Sequence, residues 1–174
     1  MDWKRELVIA HLVKQKIAEV DVDGVWENTL PEVAASEDQL GMLEGRLGYG
    51  LDPQFREFLR HADGWRSFKN YIDVFGTEDF LGGSRAARAA ELVESLEPLE
   101  PLCGLGRRDV LPIAVSTNDI DVMLMARPHT ESPGQVLWFA GGLVETFPGF
   151  NEWFLAMVDY LRLNYQRLVE KHSH

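Results

Sequence analysis

The stretch LDPQFREFLRHADGWRSF, residues 51–68, predicts a short helix with well-marked ends. Asp52 can cap free backbone N–H groups, and Pro53 fits the first helical position because the N–H it lacks has no partner there. Apolar residues then recur at helical spacing and indicate one buried face, formed by Phe55, Phe58, Leu59 and Ala62. Gly64 is expected to end the helix, since glycine adopts the left-handed backbone conformation at low cost.

Two large aromatic residues, Trp65 and Phe68, follow the predicted helix end at once, in what should be a loop. Either they fold back over the core, or they are exposed and meet a partner. Trp and Arg are enriched among the residues that dominate binding energy at interfaces, and Trp65 and Arg66 supply both types. The sequence favours the core for Phe68 and leaves both alternatives open for Trp65.

The remaining pattern predicts helices first, then an antiparallel meander and a closing helix. A helix is expected over residues 2–20, and a second begins at Ser36, where Gln39 completes a capping box. Five segments are strand-like: 71–75, 110–116, 120–126, 134–140 and 143–147. Gly141-Gly142 between the last two is a hairpin signal. The expected fold is α+β, a twisted, mainly antiparallel sheet of five to six strands flanked by helices.

Length and composition indicate one globular domain over residues 1–174. The chain is long enough to bury a core, with 45% hydrophobic and 26% charged residues. Its N-terminal segment is interrupted by charges and does not resemble a signal peptide, and no window is apolar enough to span a membrane. The single cysteine, Cys103, excludes an internal disulfide, so we expect a cytoplasmic protein.

The charge balance indicates which partners are excluded. Asp and Glu number 28 against 17 Lys and Arg, a formal net charge of −11. Eight acids and no base lie between Lys16 and Arg46, at Glu19, Asp21, Asp23, Glu27, Glu32, Glu37, Asp38 and Glu44. Such a charge repels nucleic acid and anionic membranes and attracts a basic protein, although acidity alone also keeps a protein soluble.

The sequence contains no catalytic or metal-binding constellation, so we predict no catalytic residue, metal or cofactor. The five histidines lack the spacing of metal ligands. Asp119-x-Asp121 starts like a calcium loop, but the required Gly and closing Glu are missing. Gly82-Gly83-Ser84 before a predicted helix lacks the P-loop lysine, and Cys103 has no histidine near it in sequence.

The order of the motifs resembles the SUKH superfamily, which contains the yeast Smi/Knr cell-wall regulator and many bacterial immunity proteins. The resemblance covers roughly residues 30–160 and rests on EDQLGMLEGRLG (37–48), FREFLRHADG (55–64), FGTEDF (75–80), VLPIAVSTNDIDVMLM (110–125) and FNEWF (150–154). This chain departs from the family where Asp52 separates Leu51 from Pro53, and where Asp63-Gly64 replaces the usual Asn-Gly. The helix over residues 2–20 is an addition to the family-like part.

The resemblance implies a twisted sheet flanked by helices and, for bacterial members, a protein that binds and blocks a toxin domain such as a nuclease or deaminase. We therefore expect a non-enzymatic inhibitor of a basic cognate toxin. The expected contact residues are Trp65, Arg66, Asp73, Glu78, Asp79, Asp119 and Asp121. Two alternatives stay open, a regulatory or scaffold module, as in the eukaryotic branch, and a small hydrolase with unidentified carboxylates. The sequence leaves the toxin and the oligomeric state undetermined.

Overall fold

A computed structural model describes residues 1–172 and contains six antiparallel strands in one sheet with six α-helices. The helices are α1 (Trp3–Val20), α2 (Glu37–Leu47), α3 (Pro53–Leu59), α4 (Ser84–Ser95), α5 (Glu100–Cys103) and α6 (Phe150–His172). The strands are β1 (Trp65–Lys69), β2 (Ile72–Val74), β3 (Val110–Ser116), β4 (Asp121–Ala126), β5 (Val136–Ala140) and β6 (Leu143–Phe147). This architecture confirms the predicted α+β class.

The six strands follow one another in the sheet in chain order, so every neighbouring pair is antiparallel. β3 and β6 have the predicted bounds, and Gly141-Gly142 joins β5 to β6 as expected. Because the chain meanders, the turns after β1, β3 and β5 all lie at the same end of the sheet. We call this end, represented by Asp119, Ile120, Asp121, Gly141 and Leu143, the hairpin end.

Helices cover both faces of the sheet, which explains why the central strands are apolar throughout. In β4, Met123 and Met125 join the core shared with α1, α3 and α6. Val122 and Leu124 point the other way, into the core beneath α4. Successive strand residues face opposite sides, so a strand covered on both faces reads as a continuous apolar run. No helix within residues 1–172 is long and apolar enough to cross a membrane.

Helix α3 begins as the sequence predicts and ends earlier. The Asp52 carboxylate accepts hydrogen bonds from the backbone N–H groups of Gln54 and Phe55 at 3.0 and 3.1 Å. The helix ends at Leu59, so the prediction that Gly64 ends it is wrong. Gly64 instead leads into β1 with φ of +91°, and a Cβ there would lie 2.7 Å from the backbone nitrogen of Gly76. Only glycine fits this approach.

The predicted loop after α3 is wrong, because these residues form the edge strand β1. Trp65 and Phe68 are both fully buried, with ring centroids 5.1 Å apart, and Phe68 stacks on Phe154 of α6. The pairing of β1 with β2 is irregular at Ser67, which has φ of +48°. This irregularity lets Trp65 and Phe68, three residues apart, face the same side of the sheet. The aromatic pair therefore belongs to the core.

Helix α1 packs against the same core although it precedes the family-like part. Trp3 lies with its ring centroid 5.2 Å from that of Phe58 and 5.0 Å from that of Phe154. Lys14, 5% exposed, donates hydrogen bonds to the backbone oxygens of Glu27, Ser67 and Phe68. All three ammonium hydrogens thereby have acceptors, so this buried lysine ties α1 to β1 and to the segment that follows α1.

Candidate partner-binding surface

The seven residues predicted from sequence to contact a partner fall into three structural settings. Trp65 lies in the core, so its side chain offers no surface to a partner. Its indole N–H donates to the hydroxyl of Thr29 at 3.1 Å, which satisfies its polar group inside the protein. Three others, Arg66, Asp73 and Asp79, form an internal ion network. Glu78 and Asp119 are exposed and Asp121 is half-buried.

The network joins both buried aspartates to arginines and backbone N–H groups. Asp79, 6% exposed, accepts from Arg66 Nη1 and from the backbone nitrogen of Gly76, each at 2.9 Å. Asp73, 4% exposed, is bonded by Arg85 Nε and by the backbone N–H of Ser67. The charges of Arg66, Asp73 and Asp79 are therefore matched within the fold, and their contact with a partner stays a prediction.

Arg85 is the member of this network that sequence reasoning missed. It lies in the first turn of α4 and approaches Asp79 as well, with Nη1 3.6 Å from Oδ1. One turn further along α4, Arg88 Nη2 donates to the backbone oxygen of Asp119 at 3.0 Å. The start of α4 therefore connects the ion network to the hairpin end. Two arginines three residues apart, in a sequence rich in acids, were the available sequence signal for this role.

At the hairpin end, apolar and acidic side chains are exposed side by side. Ile120 and Leu143 are 49% and 40% exposed, and Asp119 between β3 and β4 is exposed as well. A Cβ built on Gly141 would lie 3.3 Å from Ile120 Cδ1, so the two turns pack together. Apolar groups ringed by charge are typical of protein-binding patches.

Polar and aromatic groups contact one another near this end, on the face of the sheet that α6 covers. The indole N–H of Trp138 donates to Asp121 Oδ1 at 2.7 Å, and Tyr160 donates to Glu145 Oε2 at 3.0 Å. Lys69 Nζ lies over both rings, 5.3 Å from the Trp138 centroid and 5.7 Å from that of Tyr160. Burial lowers the pKa of Lys69, while Asp121 opposes the shift. Asp121 is thus held in place by its neighbours, and Asp119 is the exposed carboxylate.

The two edges of the sheet differ in how their backbone groups are satisfied. The β1 edge is covered, since Thr29 donates to the oxygen of Arg66 and Lys14 to those of the next two residues. Within residues 1–172, β6 forms ladder bonds to β5 and no backbone hydrogen bond on its other side. The backbone N–H of Ala126 in β4 donates to the backbone oxygen of Gln135, just before β5. Because backbone groups of successive residues point to opposite neighbouring strands, the registers of β4, β5 and β6 then place the N–H and C=O of Thr146 on the side facing away from β5. β6 is the free edge.

Glu78 lies apart from the hairpin end. It is exposed on the 3-10 turn Thr77–Leu81 that follows β2, beside Met42 and Leu81, which are 72% and 49% exposed. Among residues 1–172, its carboxylate forms no ion pair. Glu78 is therefore a second, separate acidic position, with Met42 as its apolar neighbour.

Cys103, His129 and Asp109 line one cavity of about 400 Å³, a combination that sequence spacing did not show. His129 Nε2 lies 2.8 Å from Asp109 Oδ1. The thiol, however, is directed at the backbone oxygens of Leu99 and Leu105, at 3.5 and 3.7 Å, and burial raises its pKa. A nucleophile needs a base within reach and a lowered pKa, and Cys103 meets neither condition in this arrangement. Within residues 1–172, no three His, Cys, Asp or Glu side chains are grouped to hold a metal ion.

Comparison with known proteins gives a family but no relative. The model of the SMI1/KNR4 family (SUKH-1) matches residues 34–156, well over half of the chain. That range starts after α1 and ends within α6, so it contains the whole sheet and the hairpin end. No curated protein matches the chain in sequence.

Proposed function

The chain belongs to the SMI1/KNR4 family (SUKH-1), and we propose that it is an immunity protein that binds a basic toxin domain through the hairpin end. In this role it performs no chemistry. It blocks the toxin by covering the toxin's active site, and the bacterial branch of the family supplies the functional class. The proposal extends the family assignment to one surface of this chain.

The observation that carries the proposal is that Ile120 and Leu143 are exposed beside the exposed carboxylate of Asp119. Apolar groups at the centre of an interface supply binding energy when they are desolvated, and surrounding charge sets orientation.

The net charge of −11 supports a basic partner. Toxins that act on nucleic acid need positive surfaces to hold phosphate groups, and an acidic protein that covers such a surface competes directly with the substrate. Opposite net charges also steer the two proteins together, which raises association rates about 10- to 1,000-fold at low salt. We expect one inhibitor per toxin domain.

The second candidate is a regulatory or scaffold module, and the family name supports it, since the family includes the SMI1/KNR4 regulators. Such a module would bind several regulatory or envelope proteins rather than one toxin. The hydrolase alternative, a small hydrolase with unidentified carboxylates, stays a prediction.

The test is capture of partners from the lysate of the native organism on the immobilised protein, at low and at moderate salt. The proposal predicts one basic protein retained at a one-to-one ratio, more strongly at low salt, whose activity is lost in the complex. A varied set of regulatory proteins would instead favour the scaffold. A retained partner whose activity persists at saturation would contradict inhibition.

A further inference from the structure

At the end of the sheet opposite the hairpin end, two cavities lie side by side and share a wall. The larger has a volume of about 280 Å³ and the smaller about 190 Å³. Leu111 and Arg127 line both. Together the cavities form a groove with an arginine between two lobes, and none of the residues at the hairpin end lines it.

Small residues create the larger lobe. Ala86, Ala89 and Ala90 lie along one side of α4, and Phe75 and Leu111 form part of the opposite wall. Alanine side chains on a helix that faces a sheet leave space which larger side chains would fill. The smaller lobe lies between the segment leading into α3, at Leu51–Pro53, and the β4–β5 connection. Both lobes are lined mainly by apolar side chains.

Two arginines and two aspartates line the groove. Arg107 is exposed at the larger lobe, and Arg127 is half-buried where the lobes meet. Within residues 1–172, neither arginine forms an ion pair with a carboxylate. Of the two aspartates, Asp79 is paired with Arg66 and Arg85. Asp52, in the smaller lobe, accepts hydrogen bonds from the backbone N–H groups of Gln54 and Phe55. Two cations without a bound carboxylate therefore line this groove in a chain of net charge −11.

Arg127 is fixed in position rather than extended into solvent. Its Nε donates to the backbone oxygen of Val110 at 3.0 Å, and its guanidinium carbon lies 5.5 Å from the ring centroid of Tyr49. These contacts use one of its five N–H donors and leave the terminal nitrogens available. A positioned guanidinium with free donors suits a carboxylate, which can accept two of them at once.

We propose that this groove binds a peptide segment in which an acidic residue lies between two apolar residues. The acidic side chain pairs with Arg127, and the apolar side chains occupy the two lobes, the larger one in the 280 Å³ lobe. A peptide fits better than a fatty acid, because a fatty acid has its carboxylate at one end of a single apolar chain. In this groove the arginine lies in the middle, with an apolar lobe on each side.

This site differs in charge and position from the hairpin end, so it does not depend on the proposed function. The hairpin end presents carboxylates to a basic partner, whereas the groove presents arginines to an acidic segment. A protein with both surfaces can bind two partners at once, since the surfaces lie at opposite ends of the sheet.

The test is selection of a display library of random twelve-residue peptides on the wild-type protein, followed by affinity measurement of the enriched peptides by fluorescence anisotropy. We expect enriched peptides with Asp or Glu between apolar residues. Arg127→Gln should weaken their binding at least tenfold, and Ala90→Trp, which fills the larger lobe from an exposed helix position, should weaken it as much. Arg108→Gln, an exposed arginine outside the lining, is the matched control and should change the affinity less than twofold.

The thermal unfolding temperature of each variant separates loss of binding from loss of folding. Because Ala90 is exposed, Ala90→Trp should fold normally even if Arg127→Gln does not. The proposal is overturned if the library yields no enriched peptide, or if the enriched peptides lack the acidic residue. It is equally overturned if folded Ala90→Trp binds the selected peptides as tightly as the wild type does.

Discussion

Lys14 of α1 donates a hydrogen bond to the backbone oxygen of Phe68 in β1, at 3.3 Å. The same ammonium group donates to the oxygens of Glu27, at 2.9 Å, and of Ser67. α1 lies outside the part that matches the family, yet this side chain fastens it to the family-like sheet. The bond covers the β1 edge, whereas β6 forms backbone hydrogen bonds only with β5 among residues 1–172.

Replacing Lys14 by Met should lower the free energy of unfolding by about 2–4 kcal/mol, because carbonyl groups that are shielded from water lose their donors. The measurement is urea unfolding followed by tryptophan fluorescence. Lys16→Met is the matched control, since Lys16 has 61% of its side chain exposed and pairs with Glu19. It should change the unfolding free energy by less than about 0.5 kcal/mol. Equal effects of the two substitutions would contradict the role of Lys14.

Burial lowers the pKa of Lys14 from its ordinary 10.5 to about 8. Between these values the unfolded chain binds more protons than the folded one, so the contribution of Lys14 to stability rises with pH across that window. The free energy of unfolding of the wild type should therefore increase relative to Lys14→Met, by on the order of 1 kcal/mol per pH unit. Urea unfolding at pH 7.5 and pH 9.5 measures this, and a difference that falls with pH would contradict it.

Asp79→Asn should lower the free energy of unfolding by about 2–4 kcal/mol, since it leaves the charges of Arg66 and Arg85 without their shared carboxylate. Glu78→Gln makes the same change from acid to amide at the neighbouring, exposed residue. It should lower the free energy of unfolding by less than about 0.5 kcal/mol. Thermal unfolding of the two variants provides the comparison. If Asp79→Asn were as stable as Glu78→Gln, the internal network would have no structural role.

The sequence predicted most elements because their signals are local. Ser36 and Gln39 form the capping box that their spacing indicates, with bonds of 2.9 and 3.2 Å, and Gly141-Gly142 forms the expected turn. The strand β1 was missed for a physical reason. Its irregularity at Ser67 breaks the two-residue alternation on which strand prediction depends, so that Trp65 and Phe68 share a side.

The site was only partly predictable, because a carboxylate's exposure depends on partners far away in sequence. Asp119 lies exposed at a turn, whereas Asp73 is buried against Arg85 of the next helix. Nothing in the sequence marked Ile120 and Leu143 as surface residues of a site. Each is a common apolar residue near a strand end, and only the folded meander brings the two turns together. The functional class came from the resemblance rather than from any single residue.

Thr146→Pro tests whether a partner strand adds to the free edge of β6. Because the N–H of Thr146 points away from β5, proline removes no ladder bond inside the sheet and should lower the unfolding temperature by only about 4 °C or less. It removes the donor that an added strand would use, so partner affinity should fall at least tenfold. Thr146→Ala keeps that N–H and should bind normally. Unchanged affinity of Thr146→Pro, measured by surface plasmon resonance, would mean that the partner uses the turns alone.

The most direct test of the central claim is a titration of the captured partner's own activity with wild type, Asp119→Lys and Glu131→Lys. Glu131 is exposed at the opposite end of the sheet, so Glu131→Lys makes the same charge change away from the hairpin end. We predict that the wild type and Glu131→Lys abolish activity at one equivalent, and that Asp119→Lys needs at least tenfold more protein. Activity that survives excess wild-type protein would contradict inhibition, and equal potency of the two variants would contradict binding at the hairpin end.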